Sequence, residues 1–355
     1  MSRVASAHGV VAEHGYPQAE ITRAFTGLVT PDGSRRRAVQ SIHAATGVEH
    51  RYLALPLEEY AGLDGFGASN DAFIRVGLDL AEQAVLAALE QAGLTAADVD
   101  LVVSTSVTGI AAPSLEARLA SRIRLRPDVK RVPMFGLGCV AGAAGIARIH
   151  DYLVGHPDGV AVLLAVELCS LTVQRDDTSM ANIVASGLFG DGAAAVVMVG
   201  AGRSSDVDGP DVVASRSRLY PDSERTMGWD IGGTGFRIVL SASVPELVTT
   251  YIGDDVADLL GDHDLKVRDV GTWVCHPGGP KVLLAMQDAL DLHDGELDVT
   301  WRSLARVGNL SSASVLHVLA DTLEAARSDR PEPGSPGVVL AMGPGFCSEV
   351  VLLRW

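Results

Sequence analysis

A layered α/β fold follows from two features of the 355-residue sequence: short, nearly uninterrupted apolar runs, and helical patterns alternating with them. The runs occupy residues 99–106, 159–167, 193–199, 270–276 and 337–342, each bounded by glycine or a polar turn. Continuous runs of this kind suit strands covered on both faces, because a half-exposed strand would alternate apolar and polar residues. Helical patterns lie between them at 71–92, 141–154, 280–290 and 311–326. A polar, glycine-containing passage at 200–216 predicts a junction between two halves, 1–205 and 206–355. The proline-rich stretch from Arg327 to Gly337 predicts a surface excursion before the last strands. Helix and strand alternate to a similar extent in each half, although the residues themselves show no repeat.

Composition narrows the function. The chain is 47% hydrophobic but only 5% aromatic, so its core is built from Ala, Val and Leu. A net charge of −16 argues against nucleic acid or an anionic membrane as partner, since phosphate binding needs a positive surface. The four cysteines, 139, 169, 275 and 347, have no Cys-x-x-Cys spacing, and the 10 histidines form no His-Glu-x-x-His pair. Neither a metal site nor a disulfide framework is expected, which points to a reducing, cytoplasmic setting. No apolar stretch reaches the ~18 residues of a membrane span, and the first residues lack a secretion signal.

The most unusual segment is 135–145, Phe-Gly-Leu-Gly-Cys-Val-Ala-Gly-Ala-Ala-Gly, a thiol set among residues almost without side chains. Glycine permits sharp turns and close approach of another backbone. Cys139 is either a nucleophile at the start of a helix or an inert buried cysteine in a tight strand-to-helix turn. A helix N-terminus favours thiolate, but activation still needs a base or cation. His276, in Trp-Val-Cys-His-Pro-Gly-Gly-Pro, ends a buried strand on a glycine-rich turn and is the best candidate. Asn309, in Gly-Asn-Leu-Ser-Ser-Ala, is a third candidate, with a helix cap as its alternative role.

Taken together, Cys139, His-Pro-Gly-Gly-Pro at 276–280, Gly-Asn-Leu-Ser-Ser-Ala at 308–313, Leu-Phe-Gly-Asp-Gly-Ala-Ala at 188–194 and Gly-Pro-Gly at 343–345 resemble the type III polyketide synthases, the chalcone-synthase-like enzymes. The resemblance spans essentially the whole chain, and its closest likeness is to the actinobacterial long-chain alkylpyrone synthases. It implies a thiolase fold, with duplicated halves in a five-layer αβαβα arrangement, and a homodimer. It also implies an acyl-CoA starter extended by malonyl-CoA through decarboxylative Claisen condensation, without metal or redox cofactor. Cys139 would carry the acyl chain, His276 would hold it as thiolate, and His276 with Asn309 would form the oxyanion hole.

The same resemblance places Phe189 between the CoA entrance and the reaction cavity. It puts Ile238 where a second phenylalanine stands in relatives, and Ala112 where plant relatives carry methionine. Cys169 and Thr172 map to the cavity wall, Arg51 and Ser311 to CoA, and Arg35, Arg36 and Arg37 join Arg51 near the tunnel mouth. Phe236 is expected to face away from Ile238. Trimmed cavity positions suit a long acyl chain, each buried methylene being worth about 0.8 kcal/mol. The expected products are therefore alkyl α-pyrones, with methylmalonyl-CoA as a conceivable extra extender. Two competing readings are a ketoacyl-carrier-protein synthase, disfavoured by Pro-Gly-Gly after His276, and a non-catalytic lipid-binding subunit, disfavoured by the intact trio.

Overall fold

A computed structural model describes residues 1–175 and 177–355. The chain begins with β1 (Ser2–Val11), β2 (His14–Pro17), α1 (Gln18–Val29), α2 (Arg36–Ala44), β3 (His50–Leu53) and α3 (Gly65–Gln91). It continues through β4 (Leu101–Thr105), α4 (Leu115–Ile123), β5 (Lys130–Met134), α5 (Ala141–Val154), β6 (Val160–Leu168), α6 (Met180–Leu188) and β7 (Asp191–Gly200). The second half comprises β8 (Asp211–Leu219), β9 (Met227–Gly232), β10 (Gly235–Leu240), α7 (Val244–Gly261), β11 (Thr272–Cys275) and α8 (Pro280–Leu290). It ends with α9 (Asp298–Val307), α10 (Ser314–Ser328), β12 (Pro336–Gly343) and β13 (Cys347–Arg354).

The strand ladder runs β11-β12-β13-β8-β1-β7-β6-β4-β5. Within it one pattern occurs twice. β4 pairs parallel with β6, which pairs antiparallel with β7, which pairs antiparallel with β1. In the second half β11, β12, β13 and β8 repeat those relations in the same order. Among the described residues the strands of the two patterns pair with each other only where Ser2 and Arg3 meet Val212 and Asp211. The duplication that the residues hid is thus plain in the strand order.

The apolar clusters define the layers. One packs α3 and α4 on the outer face of the first pattern, and another packs α7 and α8 on the outer face of the second. Between the two patterns lie α5 and α10, sharing a core with residues of both, including Leu163, Val196, Val339 and Val351. Three helical and two strand layers give the five-layer thiolase arrangement. A helix with apolar residues all round belongs in such a middle layer, and α5 buries Gly142, Ala143, Ile146, Ala147, Ile149 and Leu153 around its circumference. β6 and β7 are buried along their whole length, as their continuous apolar runs predict.

Three expectations shift. The helix expected from residue 71 starts at Gly65, because Phe66 packs edge-on against Phe236 with ring centres 5.4 Å apart. That tertiary contact holds a first turn whose glycines read as loop. The junction expected at 200–216 is shorter, since β8 already begins at Asp211. Finally, Phe236 does not face away from Ile238. Two residues apart on a strand, they share a face, and Trp229 confirms it by pairing across from Ile238 while its ring lies 6.0 Å from that of Phe236.

Candidate active site

Four elements deliver the site. Cys139 sits in a 3-10 turn, Gly138–Val140, that runs directly into α5. His276 follows the end of β11, and Asn309 lies between α9 and the 3-10 turn Ser311–Ala313 ahead of α10. Phe189 closes α6, and its backbone bridges to Asn309: Asn309 N–H donates to Leu188 O, and Gly190 N–H to Asn309 O, each at 3.0 Å. The trio therefore hangs on the two middle-layer helices and the end of a second-half strand.

Glycine explains how these pieces reach one another. A Cβ on Gly343 would stand 2.6 Å from Leu137 O and 2.8 Å from Val140 N, so the Gly-Pro-Gly loop presses on the cysteine turn. Gly138 has φ +58° and would meet the Pro344 ring. On α5, Gly142 lies against Ser312 O and Val315. The small residues around Cys139 thus make room for the backbone of the other half.

The polar groups form a connected chain. Cys139 Sγ donates to Ser311 Oγ at 3.6 Å. Asn309 Oδ1 accepts from Ser311 N–H at 2.8 Å and from Ser314 Oγ at 3.3 Å, which turns its NH2 group toward His276. Asn309 Nδ2 lies 3.5 Å from His276 Nε2. Behind them the buried Glu167 carboxylate joins the halves, accepting from Val107 N–H at 3.1 Å, Thr108 Oγ1 at 2.9 Å and Ser312 Oγ at 2.5 Å. Sequence reading assigned Glu167 no role; its one signal was a charged residue ending an otherwise apolar run.

Burial sets the charge states. It pushes the Cys139 thiol up to about 12, with Glu167 adding to the rise and the Ser311 contact opposing it. It pushes His276 down to about 3. Both directions favour a neutral thiol and a neutral imidazole over the expected thiolate–imidazolium pair. Below its raised pKa a thiol gains thiolate tenfold per pH unit. Alkylation of Cys139 by iodoacetamide should therefore accelerate by about tenfold per unit between about pH 6 and 9. A rate flat across that range, measured by intact mass, would show a standing thiolate instead.

The remaining expected residues separate. Cys169 and Thr172 are buried in the turn Cys169–Thr172, and burial, with Glu167 and Asp191 nearby, holds the Cys169 thiol well above its ordinary pKa. Phe189 and Ile238 are half-buried. Ser311, expected at CoA, is instead the buried partner of the Cys139 thiol, in a left-handed conformation at φ 50°. Ala112 is exposed on the loop after β4.

Arg51 is corrected most sharply. It is fully buried, and its guanidinium donates to Gln18 Oε1 at 2.9 Å, Phe189 O at 2.7 Å and Ser186 O at 2.9 Å. The last two are the carbonyls at the end of α6, where a cation complements the helix dipole. Arg51 thus fixes the segment bearing Phe189 and is not a cation at the tunnel mouth. Arg35, Arg36 and Arg37 are exposed and make no ion pair among the described residues.

Comparison with known proteins follows the same two halves. Residues 40–203 match the N-terminal domain of the chalcone and stilbene synthases, and residues 211–355 match their C-terminal domain. The chain belongs to the chalcone and stilbene synthase family. This synthase is 58% identical over 354 residues to 1,3,6,8-tetrahydroxynaphthalene synthase of Streptomyces peucetius subsp. caesius, covering 99% of this chain and 93% of the relative. It is 34% identical to a putative chalcone synthase of Bacillus subtilis, covering 87% and 86% of the two chains. The crystal structure of the bacterial type III polyketide synthase 1,3,6,8-tetrahydroxynaphthalene synthase from Streptomyces coelicolor A3(2) superposes with a TM-score of 0.93 at 28% identity, covering 99% of each chain. The chain is a type III polyketide synthase, a transferase condensing units from CoA thioesters. No helix among the described residues is long and apolar enough to cross a membrane.

Proposed function

We propose that Cys139 carries the growing chain and that His276 with Asn309 drives decarboxylative condensation, with malonyl-CoA as both starter and extender. The observation that carries the chemistry is the Asn309 amide, oriented by Ser311 and Ser314 so that its N–H faces His276 Nε2 at 3.5 Å. As a CoA thioester arrives, His276 takes the Cys139 proton, the thiolate attacks the thioester carbonyl, and CoA leaves with that proton. Malonyl-CoA then loses CO2, and its enolate oxygen accepts from the Asn309 amide and from His276 in the neutral tautomer that carries its proton on Nε2. The enolate carbon attacks the Cys139 thioester, which releases the thiolate and lengthens the chain by two carbons. These steps need no metal or redox cofactor.

The relative sharing 58% identity supports the starter, because the ten ring carbons of its naphthalene product equal five two-carbon units. A second reading, a long-chain acyl starter giving alkyl α-pyrones, is favoured by aliphatic Ile238 at the position where the family resemblance expects a second phenylalanine. Feeding malonyl-CoA with a ladder of acyl-CoA starters, read by mass spectrometry, separates them. Aromatic product from malonyl-CoA alone supports the first reading, and pyrones that form only with long starters overturn it.

Two further parts belong to the proposal. Arg35, Arg36 and Arg37, exposed beside the start of α6, supply local cations for CoA phosphates on an otherwise acidic chain. A homodimer would cover the edge strand β5, with its Val132, and the nearby Ile110 and Phe135, which are 46%, 48% and 51% exposed. It would also bring Ala112 to the subunit seam. A solution mass near the 37.1 kDa of one chain would count against it.

A further inference from the structure

The hairpin β9–β10 stands apart from the main ladder as its own two-stranded sheet, yet it carries Ile238. Its paired strands satisfy each other, with Gly235 opposite Gly232 and Leu240 opposite Met227. Among the described residues, the hydrogen bonds that tie residues 227–240 to the first half all come from one side chain. Gln174 Nε2 donates to Thr234 O at 3.4 Å and to Phe236 O at 3.1 Å. The same nitrogen donates to Thr172 O at 3.1 Å, at the end of the buried turn Cys169–Thr172. Facing three carbonyls, the side chain must present its NH2 group, so its orientation is set by chemistry.

The base of this contact is rigid. Gln174 is 7% exposed, and its backbone is held on both sides by buried Asn182 of α6. Asn182 Oδ1 accepts from Gln174 N–H at 3.2 Å, and Asn182 Nδ2 donates to Gln174 O at 2.8 Å. Beyond it Phe236 packs against Phe66 and Phe135, β10 runs beside α6, and Met227 and Leu240 anchor the hairpin's open end on the second-half core. Gln174 and Thr234 also border an open pocket of about 360 Å3, which leaves the hairpin's turn space to move once the contact is cut.

We infer that Gln174 is a positioning residue for specificity: it latches the Ile238 hairpin onto the turn Cys169–Thr172 and so fixes the room available to the growing chain. The inference rests on the condensation proposed above. It touches neither Cys139 nor the His276–Asn309 pair, so malonyl-CoA decarboxylation should not depend on it.

The test compares Gln174→Leu and Gln174→Met, which keep bulk but donate nothing, with the full-length wild type. Amide hydrogen exchange in 227–240 should quicken by about tenfold in both variants, because the latch's hydrogen bonds are gone. The product spectrum from malonyl-CoA should shift by at least about fivefold toward chains of other lengths, while decarboxylation stays within about twofold of wild type. Unchanged exchange, or an unchanged product spectrum, overturns the latch. So does loss of folding in both variants, which would make Gln174 a core residue. A wild type that makes no polyketide defeats the proposed reaction instead, and the exchange comparison still decides whether the hairpin is latched.

Discussion

Cys139→Ala should make no polyketide, a fall of at least ~10³-fold, yet still release acetyl-CoA from malonyl-CoA. Asn309→Ala should do the reverse. It should lose decarboxylation by about 10² to 10³-fold, as expected when one oxyanion donor is removed, while Cys139 still gains an acyl mass from a simple acyl-CoA. The crossing follows from the geometry. In Cys139→Ala the Asn309 amide remains pinned by Ser311 N–H and Ser314 Oγ and still faces His276. Among the described residues only the Cys139 thiol hydrogen-bonds into the Ser311–Asn309–His276 chain, so no other thiol is placed to take over; Cys347 is instead tied to Pro344 O at 3.1 Å. In Asn309→Ala the thiol keeps its contact with Ser311. Polyketide from Cys139→Ala, or wild-type decarboxylation by Asn309→Ala, would overturn these roles.

How far the sequence could be read depended on what each residue's neighbours had to be. Strands β6 and β7 and helix α5 were legible because elements covered on all sides are apolar without interruption, and that pattern is local. Cys139, His276 and Asn309 were legible because each sits in a turn whose glycines announce close approach. Arg51 was misread for the opposite reason. An arginine among other arginines looks like a surface cation, and only the fold shows that Phe189 O and Ser186 O reach back to it. Ser311 was placed at CoA because its contact with Cys139 crosses 172 positions of chain. The duplication was legible through the family resemblance alone, since it lies in strand order and not in any repeated residue. Burial weighs against the thiolate expected at Cys139, because a helix terminus is worth a fraction of the cost of burying a charge.

Gly142→Ala should unfold the protein more easily by about 3 kcal/mol and cut turnover by about 10²-fold, although alanine is the better helix former. Helix propensity and the unfolded-state entropy of glycine favour the substitution by about 1 kcal/mol. The space does not exist, however. The new methyl would overlap Ser312 O and stand 2.6 Å from Val315 Cγ1, and the first of these is backbone that cannot rotate aside. Ser312 cannot drift freely either, because its N–H and hydroxyl bind Glu167, and the residue before it holds the Cys139 thiol. Parting α5 from this turn therefore moves Ser311 and Asn309 away from the sulphur together. Gly27→Ala is the matched control: exposed on α1 with nothing within 4 Å, it should stabilise by about 0.5–1 kcal/mol and leave turnover unchanged. Denaturant midpoints and turnover for the pair decide the matter. If Gly142→Ala matches wild type in both, the middle layer is slack, and the glycines around Cys139 are not there for close approach.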